Sequence, residues 1–151
     1  MKKGFTLLEL IVVIIIVGVL ATLGLTQYGS MVEKMRRAEA IQVLADIRKL
    51  AYTYWLANGS MTALTDADVN IGEGQDQIPR YCRPSHYFQY QIVPGYPSAC
   101  VALATRCTSG GKNPQWSELY LIEMIVVMTN GSTTWQYEDS KGWGPVGPYP
   151  P

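Results

Sequence analysis

The chain has 151 residues, room for one ordinary domain with or without an anchor. Twelve Lys and Arg balance twelve Asp and Glu, which argues against a protein that holds nucleic acid by bulk charge. One His and three Cys are too few soft ligands for a multi-zinc module. The apolar share, 48%, is that of an average globular chain, but it is unevenly spread. Between Phe5 and Leu25, 16 of 21 residues are apolar and 14 of these are Val, Ile or Leu; after Leu25 only 22 of 126 are. All ten Tyr and all nine Pro lie in the later stretch.

The first element is a helix over Phe5–Leu25. It would be roughly 32 Å long, one hydrocarbon thickness. Lys2 and Lys3 precede it, so the positive-inside rule keeps the N-terminus cytoplasmic and exports the rest. A plain membrane anchor has this pattern, and so does a signal peptide cut after Val19-Leu20-Ala21. Glu9 fits neither. It is the only charge between Lys3 and Glu33, and a carboxylate inside an apolar helix costs on the order of 2.5–3.5 kcal/mol on insertion scales. With no Lys or Arg beside it on the helix except Lys2 and Lys3, its partner is expected to be a chain terminus, another chain or the membrane interface.

The string Gly4-Phe5-Thr6-Leu7-Leu8-Glu9, behind a short basic leader and ahead of an unbroken apolar run, resembles the N-terminus of type IV prepilins and pseudopilins over residues 1–30. The resemblance implies that a membrane prepilin peptidase cuts after Gly4 and N-methylates Phe5. It also implies that Glu9 pairs with the exposed amine of a neighbouring subunit during assembly. The physics agrees, because cleavage removes Lys2 and Lys3 and creates a cationic amine near the membrane surface, able to neutralise a buried carboxylate and set register between chains. Family members often carry Pro near the end of the apolar run. This chain has Leu25-Thr26-Gln27-Tyr28 there, with Gly18, Gly24 and Gly29 nearby as the flexible positions.

From Met31 to Ala57 there is no Pro or Gly. Ala40, Val43, Leu44, Ile47, Leu50, Ala51 and Tyr54 form one apolar stripe at helical spacing. Glu33, Arg36, Arg37, Glu39, Asp46, Arg48 and Lys49 fall on other faces. Lys34 adds to the basic character, but interspersed acids favour a solvated face with subunit salt bridges over a contact for DNA or anionic lipid. Asn58-Gly59 is a stop signal. Joined to the anchor this is a helix of about 53 residues, roughly 80 Å if straight.

Residues 58–80 read as a loop with a short helical turn near Thr65–Val69. By resemblance this connector is a variable surface region that contacts neighbours. Asp66, Asp68, Glu73 and Asp76 lie in it, but their spacing matches no calcium loop. Strands are expected at Tyr87–Val93, Cys100–Arg106, Glu118–Met128 and Thr133–Tyr137, with turns at Pro94-Gly95, Ser109–Pro114 and Asn130-Gly131. The tail Gly142–Pro151, with four Pro and three Gly, cannot be a central strand and is expected along the surface.

A hairpin centred between Pro94 and Gly95 pairs positions whose numbers sum to 189, which brings Cys82 opposite Cys107 and sets Cys100 against Gln89. A Cys82–Cys107 disulfide with Cys100 free and buried is the expectation. A metal site of the three Cys with His86 matches no common zinc spacing. No cofactor is expected, and no enzyme, since G-x-S-x-G, H-E-x-x-H and phosphate-cradling glycine loops are all absent.

The fold class is α+β: a long N-terminal helix packed on a small antiparallel sheet. Its parts are a leader (1–4), a transmembrane assembly helix (5–25), its amphipathic continuation (26–57) and an exported head (58–151). The leading function is a structural subunit of a type IV pilus-like filament. A pseudopilin of type II secretion is the alternative, and a membrane-anchored binding domain without a filament the third. Expected partners are the prepilin peptidase, other subunits, an inner-membrane assembly platform and membrane lipid; nucleic acid is disfavoured. The precursor belongs in the bacterial inner membrane, with its head periplasmic or, in a filament, extracellular.

Overall fold

The computed structural model describes residues 6–112, 120–139 and 142–145. The cleavage positions Gly4 and Phe5, the end of the Ser109–Pro114 turn, Glu118 and the last six tail residues lie outside them. Two compact units make up the chain, Met1–Met35 and Arg36–Pro151.

Helix α1 (Leu7–Asn58) is one uninterrupted element of 52 residues that begins in the first unit and ends in the second. Its glycines leave the hydrogen-bonded ladder unbroken, as isolated Gly without Pro can. From Leu7 to Leu23 its large apolar side chains stand in the open, from Ile11 at 40% exposed to Leu7 at 76%. At its other end Gly59 takes φ +69° and donates its N–H to the Trp55 carbonyl at 2.8 Å, a left-handed stop that glycine adopts without strain.

In the second unit the sheet has strand order β3-β4-β5-β6-β7: β3 (Phe88–Val93), β4 (Ala99–Arg106), β5 (Leu121–Val127), β6 (Thr133–Asp139) and β7 (Gly142–Pro145), all antiparallel. Alternation puts one set of side chains under the helix. Phe88 and Tyr90, Cys100, Ala102 and Ala104, and Ile122, Met124 and Val126 share a core with Ala40, Leu44, Ile47 and Ala51. Each large aliphatic here contributes about 1.5–3 kcal/mol by leaving water. Leu50, expected in the stripe, is instead 40% exposed: at about 100° per residue it lies roughly 90° around the helix from the middle of the Ala40–Leu44–Ile47–Ala51 line.

Three expectations change. The tail does not merely lie on the surface: Gly142–Pro145 pairs with Gln136–Asp139 as the edge strand β7, where a proline can sit because one side of an edge strand needs no ladder donor. The connector holds the expected helical turn, a 3-10 turn at Asp66–Val69, but also, where loop was expected, a short parallel pair, β1 (Ile71–Gly72) with β2 (Ile78–Pro79). The β3–β4 register pairs numbers summing to 194, Phe88 with Arg106 for example, instead of 189. The reversal is a five-residue loop, Pro94–Ser98, with Gly95 at φ +105°, so Pro94-Gly95 is not a two-residue turn. At the other hairpin only Gly131 takes positive φ, +71°; Asn130 does not.

The connector is fastened to the exposed edge of β3. Asp66 accepts the Ile92 N–H at 2.8 Å and lies 3.4 Å from Arg80 Nε. An edge strand offers unpaired donors to any passing strand, and this carboxylate occupies one of them.

Candidate functional site

Thr6 and Glu9 open α1. The Thr6 N–H and hydroxyl both donate to Glu9 Oε2, at 2.9 and 2.8 Å, and the Glu9 N–H reaches Thr6 Oγ1 at 3.3 Å. This is a capping box, in which threonine and glutamate satisfy each other's otherwise orphaned backbone donors. The sequence expectation placed the partner of Glu9 outside its helix. The T-x-x-E spacing was the signal for a partner three residues away. Both bonds from Thr6 to the carboxylate fall on Oε2, and a carboxylate has about four lone-pair sites, so Oε1 can accept a further donor.

Behind this carboxylate, Leu7–Gly24 is long and apolar enough to cross a membrane, with none of its residues buried inside the protein. Lipid or other helices can cover such a surface; water covers it at a large cost.

The second cluster lies in the head. Cys82 and Cys107 form a disulfide with Cα atoms 5.7 Å apart, and Cys100 is a free, buried thiol. Burial pushes the Cys100 thiol up to about 12, so it is unreactive at neutral pH. Gly111 packs so tightly on the bridge that a Cβ there would stand 2.6 Å from Cys107 Cβ and 3.0 Å from the His86 carbonyl. Arg106, 1% exposed, braces the same corner: its Nη1 donates to the carbonyls of Tyr87 (2.8 Å), Cys107 (3.2 Å) and Lys112 (2.7 Å). No sequence feature singled out Arg106, since arginine in an alternating strand reads as an outward residue and here points inward.

Arg36 and Arg37 are likewise not on a solvated face. Both are half-buried. Arg36 lies 4.5 Å over the Tyr87 ring, while Arg37 lies 4.6 Å from both Tyr120 and Tyr137 and donates to the Tyr137 hydroxyl at 2.9 Å. Cation–π contacts of this kind contribute about 0.5–2 kcal/mol each, and they give Tyr87, Tyr120 and Tyr137 a role in the head. His86 accepts from or donates to Ser85 at 2.8 Å. Among the described residues no three of His, Cys, Asp and Glu gather as a metal site; Asp68 is engaged by Thr65 and Asp66 by the Ile92 N–H.

Residues 1–25 match the family model described as the prokaryotic N-terminal methylation motif. The chain is 30% identical over 136 residues to the type IV major pilin protein PilE1 of Neisseria gonorrhoeae, covering 89% of this chain and 74% of that one. This chain belongs to the type IV pilin family. It is also 45% identical to a fimbrial protein of Neisseria meningitidis over 54% of this chain and 47% of the relative. With the type IV major fimbrial protein FimA of Dichelobacter nodosus it shares 34% identity over 54% of this chain and 50% of the relative. Against these two the chain spans about half the relative's length. No solved structure gives a significant match. As expected of a pilin, the long apolar N-terminal helix precedes a small antiparallel sheet.

Proposed function

We propose that this pilin is a structural subunit of a type IV pilus, cut after Gly4, N-methylated at Phe5 and polymerised through its N-terminal helix. The observation that carries this is the pairing of an uncovered apolar helix with a carboxylate at its start. Thr6 holds Oε2 of Glu9 within the chain. Oε1 is the atom for the cationic amine that cleavage creates on Phe5 of a neighbour. A charge-assisted bond of that kind is about twice as strong as a neutral one, and it neutralises the carboxylate where burial would otherwise be costly. Apolar packing supplies the bulk of the cohesion, and the Glu9–amine pair selects one axial register among many that are equally greasy.

In this reading the precursor is a single-pass inner-membrane protein with Lys2 and Lys3 in the cytoplasm and the head outside it. The prepilin peptidase, the assembly platform and lipid act on or around it, and the chemistry belongs to the peptidase. The relatives are named as pilins and fimbrial proteins, which favours a pilus over a secretion pseudopilus. Mass spectrometry of the N-terminus, with and without co-expressed prepilin peptidase, tests it. The expected mature chain begins with methylated Phe5. A chain that starts at Thr22, or keeps Met1 in the presence of the peptidase, refutes it.

A further inference from the structure

The head carries a groove that none of these roles uses. Arg48, Lys49 and Tyr52 of α1 form one wall, and Val126, Met128, Thr129, Asn130 and Gly131 at the end of β5 form the other, around a volume of about 420 Å³. Both cations face solvent. Lys49 meets Asp46 at 2.7 Å in an exposed pair, which is worth little. The groove is apolar in its floor and positive at its rim, a site for an acidic protein segment.

The same head presents such a segment elsewhere. Glu73 and Asp76 are exposed, and among the described residues neither makes an ion pair. They project from a turn that is already set. Gln77 Oε1 accepts the Gly74 N–H at 2.9 Å, and Arg83 grips the carbonyls of Gly74 at 2.8 Å and Gly72 at 2.9 Å. A turn held this way loses little entropy on docking. It belongs to the β1–β2 connector, which lies against β3, whereas the groove lies at β5 with β4 between. The turn and the groove are therefore separate patches of one head. When two different patches are complementary, the contact is heterologous, and it can repeat from copy to copy along an open filament when the rotation does not close a ring.

We propose that the Arg48–Lys49 groove receives the acidic Glu73–Asp76 turn of a second copy of this chain. The inference rests on the filament reading above and names the head-to-head contact within it. Apolar packing between N-terminal helices is tolerant of rotation, and opposite charges on distinct head patches fix which face meets which.

The test uses full-length protein assembled into filaments. Treatment with a carbodiimide, which joins a carboxylate to an amine without a spacer, should yield covalent dimers containing a Lys49–Glu73 or Lys49–Asp76 bond in the peptide map. R48E/K49E and E73K/D76K should each cut the yield of filaments by about tenfold, because like charges then face each other. The two pairs combined should restore it to within about twofold, with the cross-link reappearing between the exchanged partners. All four positions are exposed, so each variant head should melt as the wild type does, which separates misfolding from lost docking. Filaments that assemble with no such cross-link, or a combined variant that stays as defective as its parents, overturn the proposal while leaving the filament reading intact. Correctly processed chains that form no filaments overturn both.

Discussion

One helix serves two regions under opposite conditions. In the head, Ala40, Leu44, Ile47 and Ala51 are completely buried under a sheet. In the first unit, Leu10, Ile14 and Val17 repeat the spacing of Ala40, Leu44 and Ile47 and stand 58–60% exposed. Spacing alone does not distinguish them. Composition does: the head half carries a polar face and a single apolar stripe, and the N-terminal half is apolar all round, which fits lipid or a bundle of neighbours. The first half is an interface in waiting and the second is a finished core.

Truncation should separate the two regions most sharply. Leu44→Ala opens a cavity beneath the sheet and should cost the head about 2–5 kcal/mol, read as a lower urea midpoint. Leu10→Ala should leave that midpoint unchanged and act only on filament yield. Equal losses of head stability from the two would mean that the first unit is not an independent surface.

The disulfide tests whether the head is self-sufficient. It closes 25 residues, worth about 3.5 kcal/mol on the chain-entropy estimate. C82S/C107S should lower the urea midpoint accordingly, and the proposed processing at Gly4 should continue, since that site belongs to the other region. Gly111→Ala should weaken the same corner, because its methyl would collide with Cys107.

Much of this was legible in advance. Periodicity and the absence of Pro and Gly marked the helix, and Asn58-Gly59 marked its end. Alternation located four strands of the main sheet. The rest depended on contacts that no local pattern carries. The register moved from a sum of 189 to 194 because the chain reverses through a longer loop than Pro94-Gly95 implies. Cys82 lies six positions before Phe88 and reaches Cys107 from outside the ladder, so the bridge does not come from the strand opposition used to expect it. Gly142–Pro145 is excluded as a central strand by its composition, and it pairs as an edge strand, which has a free side. Arg36 and Arg37 read as surface charge, and nothing in the pattern marks Arg106; aromatic rings and backbone carbonyls, mostly distant in sequence, make their positions favourable. The Thr6–Glu9 cap is legible in the T-x-x-E spacing itself.

That cap gives a smaller effect, confined to the first region. Thr6→Val keeps the side-chain shape and removes the hydroxyl. Loss of an N-cap costs about 0.5–2 kcal/mol. Amide exchange at Leu7–Leu10 in micelles should quicken by about fivefold, the head melting as before. Unchanged exchange would show that lipid, and not Thr6, organises the helix start.

The smallest effect is one of pH, and it belongs to the head alone. On the sheet face turned away from α1, Glu123 stands opposite Gln136 and Leu103, with Glu138 one position diagonal, opposite Leu121. Partial burial, and then the Glu138 charge, push the Glu123 carboxyl above its ordinary value. A raised folded value makes the neutral form the favoured one, so this contribution is fully present below the unfolded value and is lost as pH rises through the folded one. Asp68 acts in the opposite direction. The Thr65 hydroxyl, then its N–H, hold its carboxyl below the ordinary value, so that contribution is present above the unfolded value and lost as pH falls through the folded one. Together they predict a shallow stability maximum on the acid side of neutrality. Glu138→Gln should bring the Glu123 titration, followed by carboxyl NMR, down toward its ordinary value and flatten the decline on the alkaline side. Filament yield at neutral pH should not follow it, since Glu123 and Glu138 lie on neither the N-terminal helix nor the Arg48–Lys49 groove.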